Sequence, residues 1–184
     1  MKNAVKSLLD AKTKMSFISN NDLILRQQYI NDLADKLEVE KTRFDLDQIY
    51  TSAYLGAKYI KTTYPETKKV RVVGMDSIVR EIEALDIQTI GGQTVDPTFK
   101  DKVIMIDSFN KYEIDPEVSI VLVGLDQNFS YTNLCLASLY IQTAKCRFIC
   151  TNMEPWININ GKKYPGAGSI AEGLQLTLNN EQGS

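Results

Sequence analysis

The chain has 184 residues and a formal net charge of −2, with 43% apolar and 24% charged residues. Such a composition is ordinary for a globular protein of one domain or two small ones, and the length is sufficient to bury a core. The charge gives no electrostatic reason to expect nucleic acid as a partner, and no apolar run approaches the roughly 20 residues that cross a bilayer. We therefore expect neither a nucleic-acid partner nor a membrane span.

The sequence contains no histidine. Histidine bases, Ser-His-Asp and Cys-His nucleophile systems, and histidine-ligated metals are therefore excluded within these residues. The three cysteines, Cys135, Cys146 and Cys150, are odd in number and lie in apolar stretches. The last two have a spacing that loosely matches a metal-ligand pair, but no second pair exists, so buried, reduced thiols are expected. We expect no secretory signal and an intracellular, cytoplasmic location, with an organelle as the open alternative.

The first 64 residues alternate between helical and strand patterns. Helical spacing of apolar residues begins at Val5, and the apolar run at residues 15–18 predicts a short strand. A polar turn follows, and amphipathic spacing predicts a long helix over residues 25–37. Thr51-Ser52 is an N-cap signal, which predicts a further helix over residues 53–64.

The pattern changes after Pro65, where strands and helices alternate more regularly. The predicted strands cover residues 70–74, 87–90, 103–106, 118–124 and 147–150, the predicted helices cover residues 76–85, 131–143 and 168–178, and a loop covers residues 93–102. This alternation predicts an α/β fold with parallel strands, in which two units meet near residues 64–70. Strand 118–124 is apolar on both faces, as a central strand covered on both sides requires.

Polar residues follow the first predicted strand, where residues 19–22 read Ser-Asn-Asn-Asp. A buried strand that stops at a hydroxyl and two amides just before a helix can gather donors and helix amide groups around an oxyanion or phosphate. The alternative is that Ser19 or Asn20 merely caps the helix. Local sequence leaves both interpretations open.

Three later segments also lead from a strand or turn into polar residues. Residues 123–131 (VGLDQNFSY) indicate either a substrate-facing edge or the start of a helix, with Ser130 as N-cap and Phe129 as a hydrophobic staple. Residues 150–156 (CTNMEPW) again lead a strand into polar side chains. In residues 164–170 (YPGAGSI), two glycines before a helix could approach a phosphate, but the pattern is no full dinucleotide or P-loop signature.

Six motifs, in this order, resemble those of haloacid-dehalogenase (HAD) phosphatases with a large α/β cap, of the 4-nitrophenylphosphatase, phosphoglycolate phosphatase and pyridoxal phosphate phosphatase type. The family patterns are FxSNN, IxTSA, VxVxG, VVGxDxxFSY, TNxDxxxP and PGxGSI. The segments that resemble them are residues 17–21, 49–53, 70–74, 121–131, 151–154 and 165–170. Each motif is weak by itself, but six in register cover nearly the whole chain.

The resemblance implies an α/β fold in three parts. Residues 1–64 would form a partial Rossmann-like HAD core, residues 65–164 a cap of the C2 type, and residues 165–184 a return helix toward the core. A sheet without its neighbours exposes backbone donors and apolar faces. We therefore expect residues 1–64 to be covered by a protein partner or a second copy of the chain, or to be more mobile than the cap.

The resemblance also implies a phosphorylated small molecule as ligand. It assigns Ser19 to holding the transferring phosphoryl oxygen, with Asn20 and Asn21 lining the same pocket. Three cap side chains are the candidates for contact with the rest of the substrate: Asp126, Asn128 and Asn152.

In the family, one aspartate attacks phosphorus, a second aspartate two residues later protonates the leaving group, and Mg²⁺ binds these carboxylates. No Asp-x-Asp precedes Ser19 here, and the family's later lysine and acidic motif would begin only near Ser184. Asn128 stands where related enzymes often have histidine, and Glu154 replaces the usual aspartate. We therefore expect no catalytic residue and no metal ligand in these residues, and no phosphatase activity from them alone.

Three functional interpretations remain open at this stage. The chain is a fragment of an active phosphomonoester phosphatase, a structural or interaction subunit that has lost catalysis, or a sensor that binds phosphate without turnover. Association with unrelated subunits would favour the second interpretation. The substrate itself is not identified by these residues, because caps of this type handle phosphoglycolate, pyridoxal phosphate and aryl phosphates.

Overall fold

The computed structural model describes residues 2–93 and 106–179, which form an α/β fold with parallel strands, as predicted. The helices are α1 (Lys2–Asp10), α2 (Arg26–Leu37), α3 (Ser52–Thr63), α4 (Asp76–Glu83), α5 (Tyr131–Thr143) and α6 (Ala167–Asn179). The strands are β1 (Phe17–Ser19), β2 (Ile49–Thr51), β3 (Lys69–Val73), β4 (Gln88–Gly91), β5 (Val118–Val123), β6 (Arg147–Cys150), β7 (Trp156–Ile159) and β8 (Lys162–Pro165). Short 3₁₀ turns lie at Lys41–Arg43, Leu46–Gln48 and Ile106–Lys111.

The larger sheet has four parallel strands in the order β4-β3-β5-β6. Helices α3 and α4 pack on one face through a cluster that includes Ala57 and Ile82. Helices α5 and α6 cover the other face through a cluster that includes Ala137 and Leu174. Every residue of β5 except Ser119 is buried, so the prediction of a central strand covered on both faces is confirmed.

The smaller parallel sheet contains β1 and β2, with Phe17 opposite Ile49. Helices α1 and α2 cover one side of it through a separate apolar cluster, to which Leu9 and Ile30 belong. The side chain of Ile18 points away from that cluster and is 75% exposed. Whether residues 1–64, 65–164 and 165–184 are separate folding units stays a prediction; α3, from the first of these ranges, packs on the larger sheet.

Two of the predicted helix caps are confirmed. The Thr51 side chain, at the N-cap of α3, accepts a hydrogen bond from the Tyr54 backbone N–H at 3.2 Å. The Ser130 side chain accepts one from the Asn133 backbone N–H, also at 3.2 Å, at the start of α5. Each cap satisfies an amide that the helix itself leaves unpaired, which explains why both helices begin where the sequence predicts.

An antiparallel hairpin of β7 and β8 was not predicted. Its turn is Asn160-Gly161, where the backbone φ angles are 52° and 79°. Asn-Gly between two short strands favours such a turn, because both residues adopt positive φ at low cost. The hairpin matters for function because β7 borders the cleft described below.

The predicted loop at residues 93–102 and the predicted strand at 103–106 lie almost wholly outside the described residues. Ile106 itself begins a 3₁₀ turn rather than ending a strand. Among the residues that the structure describes, no helix is long and apolar enough to cross a membrane.

Candidate functional site

A cleft of about 460 Å³ lies where the end of β1 faces the residues that follow β5 and β6. Its walls include Ser19, Asn20 and Asn21 on one side and Asn152 and Glu154 on the other. The structure thus brings the three residues predicted to bind phosphate together with one of the three predicted cap residues. Their roles in binding remain predictions.

The loop after β1 is held by its own polar side chains. Ser19 Oγ accepts a hydrogen bond from the Asn21 N–H at 3.2 Å, and Asn21 Oδ1 accepts one from the Leu23 N–H at 2.8 Å. Ser52 Oγ donates to the Asn20 carbonyl oxygen at 2.8 Å. These bonds shape the loop into a fixed turn whose side chains border the cleft.

One alternative for this loop is wrong. Helix α2 begins only at Arg26, and its N-cap is Leu25, which makes no side-chain cap bond. Neither Ser19 nor Asn20 therefore caps the helix. That the first amides of α2 assist an oxyanion at Ser19 stays a prediction.

Asp22 anchors the same loop to the larger sheet. Its side chain is 2% exposed, and Oδ2 accepts hydrogen bonds from the Leu125 N–H at 3.0 Å and the Thr151 hydroxyl at 2.8 Å. Its carbonyl oxygen accepts a hydrogen bond from the Ser77 hydroxyl in α4. Burial raises the pKa of Asp22, while the hydrogen bonds from Leu125 and Thr151 act in the opposite direction.

Gly124 makes room for this carboxylate at the end of β5. A Cβ atom at position 124 would lie 2.5 Å from Asp22 Oδ2 and 2.9 Å from Thr151 Oγ1. The Gly124 N–H also donates to the Val73 carbonyl oxygen at 2.8 Å, which holds its backbone beside β3. Any larger residue at this position would therefore displace Asp22 or deform the sheet edge.

On the opposite wall, two residues of the segment after β6 contact Asn20. Asn20 Nδ2 donates to Glu154 Oε1 at 2.8 Å, and Asn152 Nδ2 donates to the Asn20 carbonyl oxygen at 3.3 Å. The Glu154 N–H donates to Asn152 Oδ1 at 3.1 Å. A chain of hydrogen bonds thus closes the cleft between segments that are more than 130 residues apart in sequence.

The two glycines at the start of α6, Gly166 and Gly168, have a structural explanation. The Gly166 N–H donates to the Pro155 carbonyl oxygen at 3.0 Å, and the Gly168 N–H donates to the Glu154 carbonyl oxygen at 2.8 Å. A Cβ atom on Gly168 would lie 2.5 Å from the Met153 carbonyl oxygen. The glycines therefore allow two backbone segments to approach each other, and this pattern needs no phosphate to account for it.

The other two predicted cap residues do not line the cleft. Asp126 is 4% exposed; its Oδ1 accepts from the Asn128 N–H at 2.9 Å and its Oδ2 from Asn133 Nδ2 at 3.1 Å. Burial raises the pKa of Asp126. Asn128 is exposed on the same loop. Asp126 thus stabilises the start of α5, and contact of either residue with a substrate stays a prediction.

Sequence reasoning missed several residues that line this cleft. Asp22 was treated only as part of a turn, and Glu154 only as a departure from a family motif. Ile157 and Ile159 of β7 contribute apolar walls. The Asn160-Gly161 turn signal, together with the apolar residues at alternate positions of β7, would have identified the last two.

The charges of the cleft are unusual for a phosphate site. Its walls carry two carboxylates, Asp22 and Glu154, and none of the described lining residues is a lysine or an arginine. In residues 2–93 and 106–179, no group of three or more histidine, cysteine, aspartate or glutamate side chains could hold a metal ion. The described residues therefore do not provide the oxygen ligands for the Mg²⁺ ion on which the phosphatase family that the chain resembles depends.

The three cysteines are free in the structure. Cys146 is buried and its Sγ donates to the Val118 carbonyl oxygen at 3.1 Å, whereas Cys135 and Cys150 are half-buried. Burial, with a smaller contribution from the charge of Glu172, raises the pKa of Cys150 to about 11. That thiol stays protonated at neutral pH and is a poor nucleophile.

Comparison with known proteins finds a matching family model and similar phosphatase sequences. Residues 1–88 match the family model described as haloacid dehalogenase-like hydrolase. The chain is 33% identical over 169 residues to a 4-nitrophenylphosphatase of Schizosaccharomyces pombe, covering 91% of this chain and 54% of that protein. It is 30% identical over 162 residues to phosphoglycolate phosphatase 2 of Arabidopsis thaliana, covering 86% and 51% respectively. The chain thus spans about half the length of these relatives.

Solved structures share the fold. The p-nitrophenyl phosphatase from Archaeoglobus fulgidus superposes with a TM-score of 0.74 at 20% identity, covering 97% of this chain and 57% of that one. A double mutant of the thermostable p-nitrophenyl phosphatase from Geobacillus stearothermophilus gives a TM-score of 0.75 at 17% identity, with coverage of 97% and 60%. At these identities the likeness shows the fold alone. The family match over residues 1–88, the sequence relatives and the fold all agree with the motif resemblance to haloacid dehalogenase-like hydrolases.

Proposed function

We propose that this chain provides the substrate cleft of a phosphomonoester phosphatase. The phosphoryl end of the ester lies at Ser19, Asn20 and Asn21, and the leaving group lies toward Asn152 and β7. The observation that carries the proposal is the closure of the β1 loop and the segment after β6 around one cleft, with Asn20 bonded to both Asn152 and Glu154. The similarity to the 4-nitrophenylphosphatase and phosphoglycolate phosphatase supports the same class of substrate.

The neutral donors of the loop suit phosphoryl oxygens. Ser19 Oγ accepts its hydrogen bond from the Asn21 N–H, so its own proton remains to donate toward the cleft. Asn20 Nδ2 uses one N–H on Glu154, and an amide nitrogen has a second to offer. Without a cation nearby, these donors bind phosphate weakly, because neutral hydrogen bonds are about half as strong as charge-assisted ones.

We propose further that these 184 residues do not hydrolyse phosphate esters by themselves. Phosphoryl transfer needs an aligned nucleophile and positive charge at the transferring group. Asp10 is the only carboxylate among residues 1–18, and its Oδ1 pairs with an Arg43 guanidinium nitrogen at 2.8 Å. The Asp22 carboxylate is bonded to Leu125 and Thr151 instead of facing an incoming phosphorus atom.

A hydrolysis assay tests the second proposal. We expect the purified chain to show no 4-nitrophenyl phosphate hydrolysis above a blank in the presence of Mg²⁺. Turnover that disappears in Ser19→Ala would contradict this expectation. Ser7→Ala is the matched control, because Ser7 lies in α1, outside the lining of the cleft, and its hydroxyl donates to the Asn3 carbonyl oxygen.

An NMR titration with inorganic phosphate tests the first proposal. Phosphate should shift the amide signals of Ser19, Asn20 and Asn21 in the parent chain and in Ser7→Ala. The shifts should be reduced in Ser19→Ala. Phosphate-dependent shifts confined to another part of the chain would overturn the assignment of the phosphoryl end.

A second candidate function is that of a structural or interaction subunit. It is favoured by β1, which in the described residues pairs only with β2 and exposes 75% of Ile18. A protein partner, or a second copy of the chain, would cover this apolar residue and the open backbone edge. Light scattering of the chain over a range of concentrations tests self-association: a complex that Ile18→Lys dissociates supports the candidate, whereas a monomer throughout leaves only a different protein as the partner.

A further inference from the structure

Glu154 places a carboxylate at the wall of the cleft. Its Oε1 accepts the hydrogen bond from Asn20 Nδ2 at 2.8 Å, and the described residues provide no salt-bridge partner for it. Its backbone is fixed at both ends, since the Glu154 N–H bonds to Asn152 Oδ1 and the Glu154 carbonyl oxygen accepts from Gly168. The carboxylate is therefore held beside the loop that we assign to the phosphoryl group.

No positive side chain compensates this charge within the described lining of the cleft. The lining contains a second carboxylate, that of Asp22, which has the same sign and interacts electrostatically with Glu154. The remaining wall on this side is neutral, with Asn152 and the apolar residues Ile157 and Ile159. A ligand that enters between Ser19 and β7 thus meets negative charge, amides and apolar surface.

In this arrangement, the affinity for an ester depends on the charge of its leaving group. A carboxylate on the leaving group would be brought close to Glu154, and like charges at short range repel each other; because Glu154 is exposed, solvent reduces this repulsion to a modest size. An ammonium group would pair with Glu154 and would also separate that carboxylate from the phosphate at the other end. A neutral hydroxyl would donate a hydrogen bond and gain less.

We infer that Glu154 sets the specificity of the cleft for phosphate esters whose leaving group bears an amine, or at least a neutral donor group, and excludes esters whose leaving group bears a carboxylate. The inference rests on the proposed function, because it requires the phosphoryl end to lie at Ser19–Asn21. It distinguishes this chain from a cleft for phosphoglycolate, whose leaving group, glycolate, bears a carboxylate.

Three small esters that share the phosphate group and differ in leaving-group charge test the inference. They are 2-aminoethyl phosphate, 2-hydroxyethyl phosphate and phosphoglycolate, titrated into the labelled chain at low salt while the amide signals of Ser19–Asn21 and Asn152 are followed. Affinity should fall in that order, with about a tenfold difference between the first and the last from one charge interaction at the edge of the cleft. In Glu154→Gln, which keeps the acceptor for Asn20, the difference should largely disappear.

Glu66→Gln is the matched control, because it removes one negative charge from an exposed residue that does not line the cleft. It should keep the preference of the parent chain. Equal affinity for all three esters in the parent chain, with shifts at Ser19–Asn21, would overturn the role of Glu154 and leave the proposed function intact. If neither the esters nor inorganic phosphate shift those signals, the proposed function itself is wrong, and this inference falls with it.

Discussion

The two parallel sheets bury apolar residues to very different extents, although these residues look alike in sequence. In the larger sheet, Val121 lies on a central strand between two helical layers and has no exposed surface. In the smaller sheet, Ile18 lies on a strand of three residues and is 75% exposed. A β-branched residue in a parallel strand is therefore not by itself a sign of burial; the number of neighbouring strands and covering helices decides.

The difference also explains where the cleft lies. Strand β1 of the small sheet ends at Ser19, and the loop that follows it carries Asn20, Asn21 and Asp22. The larger sheet anchors this loop through the Leu125 amide and the Thr151 hydroxyl, which both bond to Asp22. The candidate site is thus a polar loop at the end of the small sheet, bonded to the carboxyl edge of the larger sheet.

The largest effect should come from a charge in the central strand. We expect Val121→Asp to lower the free energy of unfolding by about 3–5 kcal/mol, because the carboxylate would be buried without a partner. The corresponding change in the small sheet, Ile18→Asp, should alter it by only about 0.5 kcal/mol or less, because its side chain already faces solvent. Urea denaturation compares the two variants, and similar losses in both would remove the contrast between the sheets.

Amide hydrogen exchange measures the same contrast without a mutation. Exchange in β5 should require global unfolding, whereas β1 should open locally, so that protection in β5 exceeds that in β1 by about 100-fold or more. Equal protection of Phe17 and Val121 in a proven monomer would contradict this expectation. Protection of β1 that increases only when a partner is added would support the interaction-subunit candidate.

A methyl group at Gly124 should disturb the contact between the β1 loop and the larger sheet. Gly124→Ala would push into Asp22 and Thr151, and we expect a loss of about 1–3 kcal/mol from overpacking. Gly173→Ala is the control, because a Cβ there meets nothing within 4 Å. In the middle of α6, that change should stabilise the chain by about 0.5–1 kcal/mol. Thermal or urea unfolding of both variants is the measurement. An unchanged free energy of unfolding in Gly124→Ala would show that the structure accommodates a methyl group at this position.

The smallest effect is a pH dependence with a defined sign. Because burial raises the pKa of Asp22 above its usual 3.8, the folded state binds this proton more tightly than the unfolded state. The contribution of Asp22 to stability is therefore complete below pH 3.8 and is lost as the pH rises through the pKa of the folded state. The unfolding free energy of the parent chain minus that of Asp22→Asn should fall over this range.

Asp115 provides the opposite control, because the Lys69 ammonium lowers its pKa. The stability that Asp115 provides is present above its unfolded pKa and is lost as the pH falls, so the difference between the parent chain and Asp115→Asn should rise with pH. Urea unfolding from acid to neutral pH measures both differences. Two curves with the same slope would refute the assignment for Asp22.

Local signals predicted most of the regular structure. Helix α5 and strand β6 have the predicted bounds, because Ser130 caps the helix and the apolar pattern of each segment is unbroken. The hairpin was missed although its Asn-Gly turn is a local signal. The role of Asp22 had no local signal at all, since its partner Leu125 lies 103 positions away. Contacts between distant segments join the β1 loop to the larger sheet, and periodicity and capping rules describe only neighbours along the chain.

The candidate site residues likewise depend partly on local sequence patterns and partly on contacts between distant segments. Ser19 and its two asparagines were found because a strand that ends in polar residues is a local pattern, and Asn152 was found in the same way. Asp126 also follows a strand, but its environment is different. Its side chain accepts a hydrogen bond from Asn133 of α5. Sequence patterns identified the candidates, and the tertiary contacts separated those that line the cleft from those that do not.

The main-chain bonds from Gly166 and Gly168 to the carbonyl groups of Pro155 and Glu154 have a consequence for protein engineering. Their geometry does not depend on which side chain stands at position 154, which lines the cleft. A saturation library at this position would therefore change the chemistry of the cleft wall while these main-chain bonds are kept. Binding selections from such a library would yield variants of the chain that bind different small phosphate esters and that differ from one another by a single side chain.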